Sequence, residues 1–178
     1  MTRLYQSYAN RGMALENLIE TTNQTYLNRG WAVVHKRPTP VKILRTIGTS
    51  IVSAHLEAPS TVDFNGVYQG RAIEFEAKST KEDRFPLKNI HDHQVEHLRM
   101  CNKVGAITFC IIEFAKHQEV FFVHANMIVN AWDEAKKGGR KSISYDDFVY
   151  QCEIIQPTRG VPLDYLAVVD KLIEAKTA

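Results

Sequence analysis

Cysteine is scarce in this chain of 178 residues, and the three that occur, Cys101, Cys110 and Cys152, form no C-x-x-C pair. That spacing excludes a disulfide framework and the usual paired-cysteine metal motifs. Apolar runs of roughly 18 residues, long enough to span a membrane, are also lacking. Residues 1–12 are too polar for the apolar part of a secretory signal. We therefore expect no membrane association and a protein of the reducing cytoplasm.

Acidic residues are missing between positions 21 and 56, although the net charge of the whole chain is only +2. The same segment is basic, because it contains Arg29, Lys36, Arg37, Lys42 and Arg45. The net charge itself gives no indication of a nucleic-acid partner. A local basic segment beside a separate acidic cluster, however, is typical of an enzyme that holds phosphate groups in one place and a metal in another. A chance fluctuation in charge is the alternative.

The length and the mixture of helical and extended patterns predict one α/β domain over residues 1–178, with a mixed sheet. Helices are expected at about 8–28, 92–103, 125–136 and 163–175, and strands at about 31–35, 61–68, 71–78, 105–114 and 119–123. The nearly all-apolar run from Gly105 to Phe114 indicates a central strand buried on both faces. Gln69-Gly70 is the better hairpin turn, so that Asn65-Gly66 would mark a bulge. Residues 79–90 are expected to form a polar loop.

Residues 41–57 have no clean buried face, because apolar and basic side chains mix in their alternating pattern. A turn is expected near Gly48, which makes the segment a β-ribbon. A projecting arm and an ordinary edge hairpin both fit this pattern.

Asp63, Glu76 and Lys78 form the strongest chemical signal in the sequence. Side chains alternate across a strand, so Glu76 and Lys78 share one face, and pairing of the two strands lets Asp63 and Glu76 converge. Two converging carboxylates in a half-buried place require a cation, and Mg²⁺ is the usual hard ion in such sites. An Asp followed by Glu-x-Lys on the next strand therefore predicts a magnesium-dependent nuclease, with Lys78 stabilising the transition state. The alternative is a solvated polar face of a hairpin.

A second metal pattern lies on the predicted helix that begins at Asp92. His93, Glu96 and His97 match H-x-x-E-H, the inverted zinc-protease signature. No third ligand follows on a later helix, and so short a match arises often by chance. Gln94, on the inward side of the same helix, needs a buried partner, and a metal or its bound water would provide one.

The chain also contains, in order, YANRGMALE (8–16), HKRPTPV (35–41), STVDFNG (60–66), FEAK (75–78), FPL (85–87), HDHQ (91–94) and GRKSI (139–143). This series resembles the RecU family of Holliday junction resolvases and covers nearly the whole chain. The resemblance implies a restriction-endonuclease-like fold of the PD-(D/E)xK superfamily, with a mixed sheet flanked by helices. It further implies a homodimer, Mg²⁺ with Mn²⁺ as a substitute, and paired symmetric incisions in four-way DNA junctions during recombination and repair.

The same resemblance assigns roles to individual residues. The metal ligands would be Thr61, Asp63, Glu76 and Gln94; Lys78 would stabilise the transition state, and Glu16 in the first helix would be an accessory acidic residue of the catalytic site. Contacts to phosphates or to the junction would come from Arg11, Lys36, Arg37, Lys42, Arg45, Arg140 and Lys141. Val62 stands where the superfamily has proline, which removes no acidic ligand.

The ribbon at 41–57 resembles the stalk with which the family enters the junction centre. Its sequence diverges most from the family pattern. Recombinase and branch-migration proteins are the partners that such a role suggests. The alternative function is a protein that bridges DNA or modulates a recombinase, with nuclease activity on branched DNA as a secondary property.

Overall fold

The structure is a computed structural model that describes residues 8–57 and 61–177, with side chains from residue 13 to residue 175. Its helices are α1 (Tyr8–Asn28), α2 (Asp92–Lys103), α3 (Ala125–Lys136), α4 (Tyr145–Gln151) and α5 (Tyr165–Thr177). Its strands are β1 (Ala32–Lys36), β2 (Val41–Ile47), β3 (Ser50–Leu56), β4 (Phe64–Tyr68), β5 (Arg71–Thr80), β6 (Arg84–Pro86), β7 (Ile107–Phe114), β8 (Glu119–His124), β9 (Ser142–Ser144) and β10 (Glu153–Ile154). In this described part of the chain, no helix combines the length and apolarity needed to cross a bilayer.

The central sheet has the strand order β1-β4-β5-β7-β8-β10. β5 and β7 run parallel, whereas the other neighbouring strands are antiparallel. α1 and α5 cover one face, and α2, α3 and α4 cover the other. The fold class is therefore confirmed as a mixed α/β sheet flanked by helices, and β7 is the buried central strand that its apolar sequence predicts.

A row of stacked phenylalanines crosses the sheet beneath the first helical layer. Phe64, Phe75, Phe109 and Phe122 lie on four neighbouring strands, with successive ring centroids 4.9, 4.6 and 4.4 Å apart. Each offset pair of this kind contributes about 0.5–1.5 kcal/mol beyond the area that it buries. The row fixes β4 and β5 side by side, and these are the strands that carry the predicted acidic residues.

The turn between β4 and β5 is at Gln69-Gly70, as the sequence predicts. Both residues have positive φ, 48° and 72°, which is the backbone of a tight hairpin turn. The bulge expected at Asn65-Gly66 is wrong, because β4 pairs residue by residue with both neighbours. Gly66 is needed for another reason: a Cβ there would lie 2.2 Å from the carbonyl oxygen of Val33 on β1.

β2 and β3 form a separate antiparallel ribbon outside the central sheet, with a register shift beside Leu44 and a turn at Gly48. Every residue of both strands is exposed. A projecting ribbon is therefore confirmed over an edge hairpin of the main sheet.

Part of the expected polar loop at 79–90 is ordered structure instead. β6 pairs with β9, and a short 3₁₀ helix follows at Leu87–Asn89. The reason is hydrophobic burial, because Phe85 and Leu87 are 0% and 3% exposed and belong to the core under α2 and α3.

Candidate active site

The predicted carboxylates meet where β4 begins beside β5. Asp63 precedes β4, and the next residue, Phe64, pairs with Phe75 of β5. The backbone N–H of Asp63 donates to Glu76 Oε2 at 3.0 Å, and the backbone N–H of Ala77 donates to Asp63 Oδ2 at 3.1 Å. Each acidic residue is thus fixed by hydrogen bonds to the other strand.

Lys78 lies against both carboxylates. Its ammonium donates to Glu76 Oε1, and its Nζ is 3.6 Å from Asp63 Oδ2. The Glu76 side chain is 0% exposed, whereas Asp63 and Lys78 are 22% and 24% exposed. One fully buried carboxylate therefore meets a carboxylate and an ammonium that solvent can reach.

Burial raises the pKa of Glu76 to about 8, against the opposing effect of the Lys78 ammonium and with a further rise from Asp63. Burial also acts to lower the pKa of Lys78, but the charges of Glu76 and Asp63 outweigh it and hold that pKa above its ordinary value. A metal ion between the carboxylates would replace the proton on Glu76, because a ligating carboxylate must be ionised.

Gln94 is buried at the start of α2 and contacts Glu76. Its Nε2 donates to Glu76 Oε1 at 2.6 Å, while its Oε1 accepts from the backbone N–H of His91 at 3.0 Å. The structure therefore brings Gln94 into the cluster through its amide nitrogen. An oxygen ligand from this side chain would require the amide to turn away from the helix cap.

Thr61 and Arg37 lie at the edge of the same cluster. Arg37 Nη1 donates to Thr61 Oγ1 at 2.5 Å, and Arg37 Nη2 is 2.9 Å from both oxygens of Glu74. Glu74 also contacts His97 Nε2 at 3.1 Å. The guanidinium of Arg37 is therefore bonded to protein groups through both of its Nη atoms.

Glu16 of α1 lines a cleft of about 620 Å³ together with Lys78 and His91. Its Oε2 is 2.6 Å from Lys36 Nζ, and Lys36 also contacts Glu20 at 3.2 Å. The hydrogen bond that Lys36 donates to Glu16 raises the pKa of Lys36 above its ordinary value. Glu16 thus reaches the cleft beside Lys78, while Lys36, another predicted DNA contact, is paired within the protein.

The remaining predicted DNA contacts lie apart from the carboxylates. Lys42 and Arg45 are exposed on the β2–β3 ribbon, and Arg140 and Lys141 lie between α3 and β9, each lining a different cavity. Arg11 falls in α1 outside the residues whose side chains the structure describes.

The zinc-protease pattern does not form a common site. Within the described residues, the group that could hold a metal around His97 consists of Glu74, His97 and Cys101, without His93. The ring of His93 stacks on His91 with centroids 5.5 Å apart, and Glu96 contacts Arg99. Both oxygens of Glu74 also accept from Nη2 of Arg37.

Sequence reasoning missed the group made by Glu74, His97 and Arg37. Glu74 shares the polar face of β5 with Glu76 and Lys78, so strand alternation alone could have included it. The partner could not be foreseen, because Arg37 is 37 residues away and reaches Glu74 only through the order of β1, β4 and β5.

The chain matches the family model described as Recombination protein U, RecU, over residues 10–171. A protein of Pediococcus pentosaceus named Holliday junction resolvase RecU is 40% identical over 173 residues, which cover 94% of this chain and 86% of that protein. A protein of the same name from Bacillus pumilus is 42% identical over 172 residues, or 93% of this chain and 83% of that protein. The solved structure of Hjc from Archaeoglobus fulgidus, a Holliday junction resolvase, covers 74% of this chain and 92% of its own at 12% identity, and its TM-score of 0.41 is too low to support an argument.

Proposed function

Because this chain belongs to the RecU family, we propose that it is a structure-specific endodeoxyribonuclease that resolves Holliday junctions by paired, symmetric incisions. The observation that supports the chemistry is the convergence of Asp63, Glu76 and Lys78 on neighbouring strands. The observation that supports the substrate is the name shared by relatives that match more than nine-tenths of the chain.

The site suits a hard divalent cation. Asp63 and Glu76 supply carboxylate oxygens, and Thr61, two residues before Asp63, offers a hydroxyl oxygen. Glu76 is buried where an unbalanced negative charge is unfavourable. These oxygen ligands fit Mg²⁺, with Mn²⁺ as a substitute, better than a metal that prefers sulfur or imidazole. When bound, such an ion supplies an acidified water and offsets charge on the phosphate.

Lys78 contributes positive charge at the place where the phosphate would react. Its ammonium is held between two carboxylates and lines the open cleft, so it is pre-oriented before DNA arrives. Preorganised charge of this kind contributes about 10²- to 10³-fold to a rate. Glu16 faces the same cleft and is assigned an accessory acidic role.

A four-way junction requires two cuts of matching orientation. A two-fold homodimer presents two copies of the site in that relation, and we assign this assembly to the chain. The β2–β3 ribbon is the stalk that would enter the junction, with Lys42 and Arg45 as phosphate contacts and Arg11, Lys36, Arg140 and Lys141 further along the DNA. Arg37 is left out of this set, because its Nη1 donates to Thr61 and its Nη2 to Glu74. The protein would act on recombination intermediates in the cytoplasm, together with recombinase and branch-migration proteins.

Cleavage of three synthetic DNAs tests the proposal: a four-way junction, a Y-fork and a linear duplex, each with and without Mg²⁺. We expect paired cuts in the junction, Mg²⁺ dependence, and loss of cutting in Asp63→Asn and Lys78→Met. Equal cutting of all three substrates would reject junction specificity. Full activity of Asp63→Asn with Mg²⁺ would reject the site. Tight junction binding with recombinase modulation but negligible cutting would favour the alternative DNA-bridging function.

A further inference from the structure

Arg37 and Glu74 form an ion pair, and Arg37 also donates to Thr61, which is proposed as the third oxygen ligand of the metal. We propose that both are positioning residues, which orient the Thr61 hydroxyl for metal binding, and that Arg37 does not serve as a DNA contact. The inference rests on the proposed metal site and deepens it, because it adds two residues to the machinery of that site.

The geometry ties Arg37 to the segment that carries the ligands at two points. Its backbone N–H donates to the carbonyl of Asp63 at 2.8 Å, and its Nη1 donates to Thr61 Oγ1 at 2.5 Å. The main-chain bond places Asp63, and the side-chain bond places Thr61. The Thr61 oxygen has two lone pairs, so accepting from Arg37 leaves one for a cation.

Glu74 makes this arrangement compatible with a metal. A guanidinium beside a cation site would repel the ion, but both Glu74 oxygens lie 2.9 Å from Arg37 Nη2 and offset its charge. The Glu74 side chain is only 13% exposed, and His97 Nε2 holds it from the other side. Glu74 therefore acts through Arg37, whose charge it offsets.

Binding of Mn²⁺ to the full chain without DNA tests the inference, measured by calorimetry or by electron paramagnetic resonance. Loss of a residue that orients a metal ligand typically weakens metal affinity by about 10- to 100-fold. We expect a weakening in this range for Arg37→Gln, Arg37→Lys and Glu74→Gln. Lysine should fail because a single ammonium cannot hold Glu74 and Thr61 together in the geometry of the guanidinium fork.

The direction in which Arg37→Gln changes Mn²⁺ affinity distinguishes a positioning role from simple charge repulsion. Removing a cation near the metal would tighten Mn²⁺ binding if only electrostatic repulsion mattered, whereas positioning predicts weaker binding. Thr61→Ala should also weaken binding, and Arg37→Gln should then add little to it, since both changes remove the same oriented hydroxyl. Tighter binding in Arg37→Gln, or additive losses in the double variant, would overturn the inference.

Arg99→Gln is the matched control, because Arg99 also pairs with a carboxylate, that of Asp133, which its Nη1 and Nη2 contact at 3.0 and 2.7 Å. It should bind Mn²⁺ like the unaltered chain. Junction affinity in EDTA gives a second readout: a phosphate contact at Arg37 would lower the slope of log affinity against log salt by about 0.9 in Arg37→Gln, and positioning predicts an unchanged slope. If Arg37→Gln fails to fold, Glu74→Gln and Arg37→Lys carry the same test.

Failure of this inference and failure of the proposed function give different results. A chain that binds Mn²⁺ in the predicted pattern but does not cut four-way DNA keeps the positioning role and loses the resolvase proposal. If the chain cuts junctions but Arg37→Gln keeps normal Mn²⁺ affinity, the resolvase proposal stands and the positioning role is rejected.

Discussion

Glu76 should couple metal binding to the release of a proton. The side chain is completely buried, and that burial raises its pKa to about 8. Only the ionised carboxylate binds a metal, so protons compete with the metal below this pH. With a pKa of about 8, roughly one molecule in eleven is ionised at pH 7, and the apparent affinity should be about tenfold below its high-pH limit.

Calorimetric titration of the full chain with Mg²⁺ or Mn²⁺ between pH 6 and pH 9, without DNA, checks this coupling. The apparent affinity should rise by about 50-fold from pH 6 to pH 8 and then level off. Repeating each titration in two buffers of different ionisation heat gives the number of protons released. That number should be close to one per metal at pH 7 and should fall towards zero above pH 9.

Lys78→Met provides an internal check on the cause. The ammonium of Lys78 holds the pKa of Glu76 down, so its removal should move the whole affinity curve to higher pH. A metal affinity that stays flat from pH 6 to pH 9, with no proton released, would refute the reasoning. The reasoning would also be refuted if Lys78→Met left the dependence of metal affinity on pH unchanged.

Three further predictions concern stability and DNA binding. In metal-free protein, the raised pKa of Glu76 makes the folded state bind more protons than the unfolded state between pH 4.5 and about pH 8. The free energy of unfolding, measured by urea denaturation, should therefore fall as the pH rises through that window, by up to roughly 1.4 kcal/mol per pH unit. Asp164→Ala should lower the free energy of unfolding by about 1–3 kcal/mol, because Asp164 is fully buried and its loss leaves the buried hydroxyl of Tyr26 without this acceptor; no measurable loss would contradict this. Lys42→Ala and Arg45→Ala should each reduce the salt slope of junction binding by about 0.9, as measured by anisotropy, and leave Mn²⁺ affinity unchanged. An unaltered slope would remove the ribbon from the DNA interface.

Local rules predicted that Asp63, Glu76 and Lys78 converge, because these residues lie on one hairpin. Alternation places Glu76 and Lys78 on one face of β5, and the turn at Gln69-Gly70 sets which residue of β4 lies opposite each residue of β5. The position of Asp63 beside Glu76 then follows from the pairing of Phe64 with Phe75. Convergence of this kind needs no knowledge of the rest of the fold.

The surroundings of the centre depend on pairings that a local pattern cannot supply. Lys36 pairs with Phe64, so Arg37, the next residue, comes beside Asp63 only because β1 is antiparallel to β4. From the sequence, Arg37 is one cation in a basic segment, and a phosphate contact is the natural interpretation. The polar loop at 79–90 failed for a similar reason, since the partner strand of β6 is β9, more than fifty residues further along the chain.

The ribbon and the carboxylate cluster are built on different strands and should respond differently to substitution. The centre is held by backbone hydrogen bonds between strands whose other face is packed with phenylalanines, so a change there disturbs the core. The ribbon packs no residue into that core, and it exposes apolar side chains such as Leu44, Ile47 and Ile51 by 59%, 65% and 54%. Exposed apolar clusters on an isolated hairpin gain nothing for the fold and are typical of a surface that is covered on binding. Changes in the ribbon should therefore alter which branched DNA is bound without moving Asp63, Glu76 or Lys78.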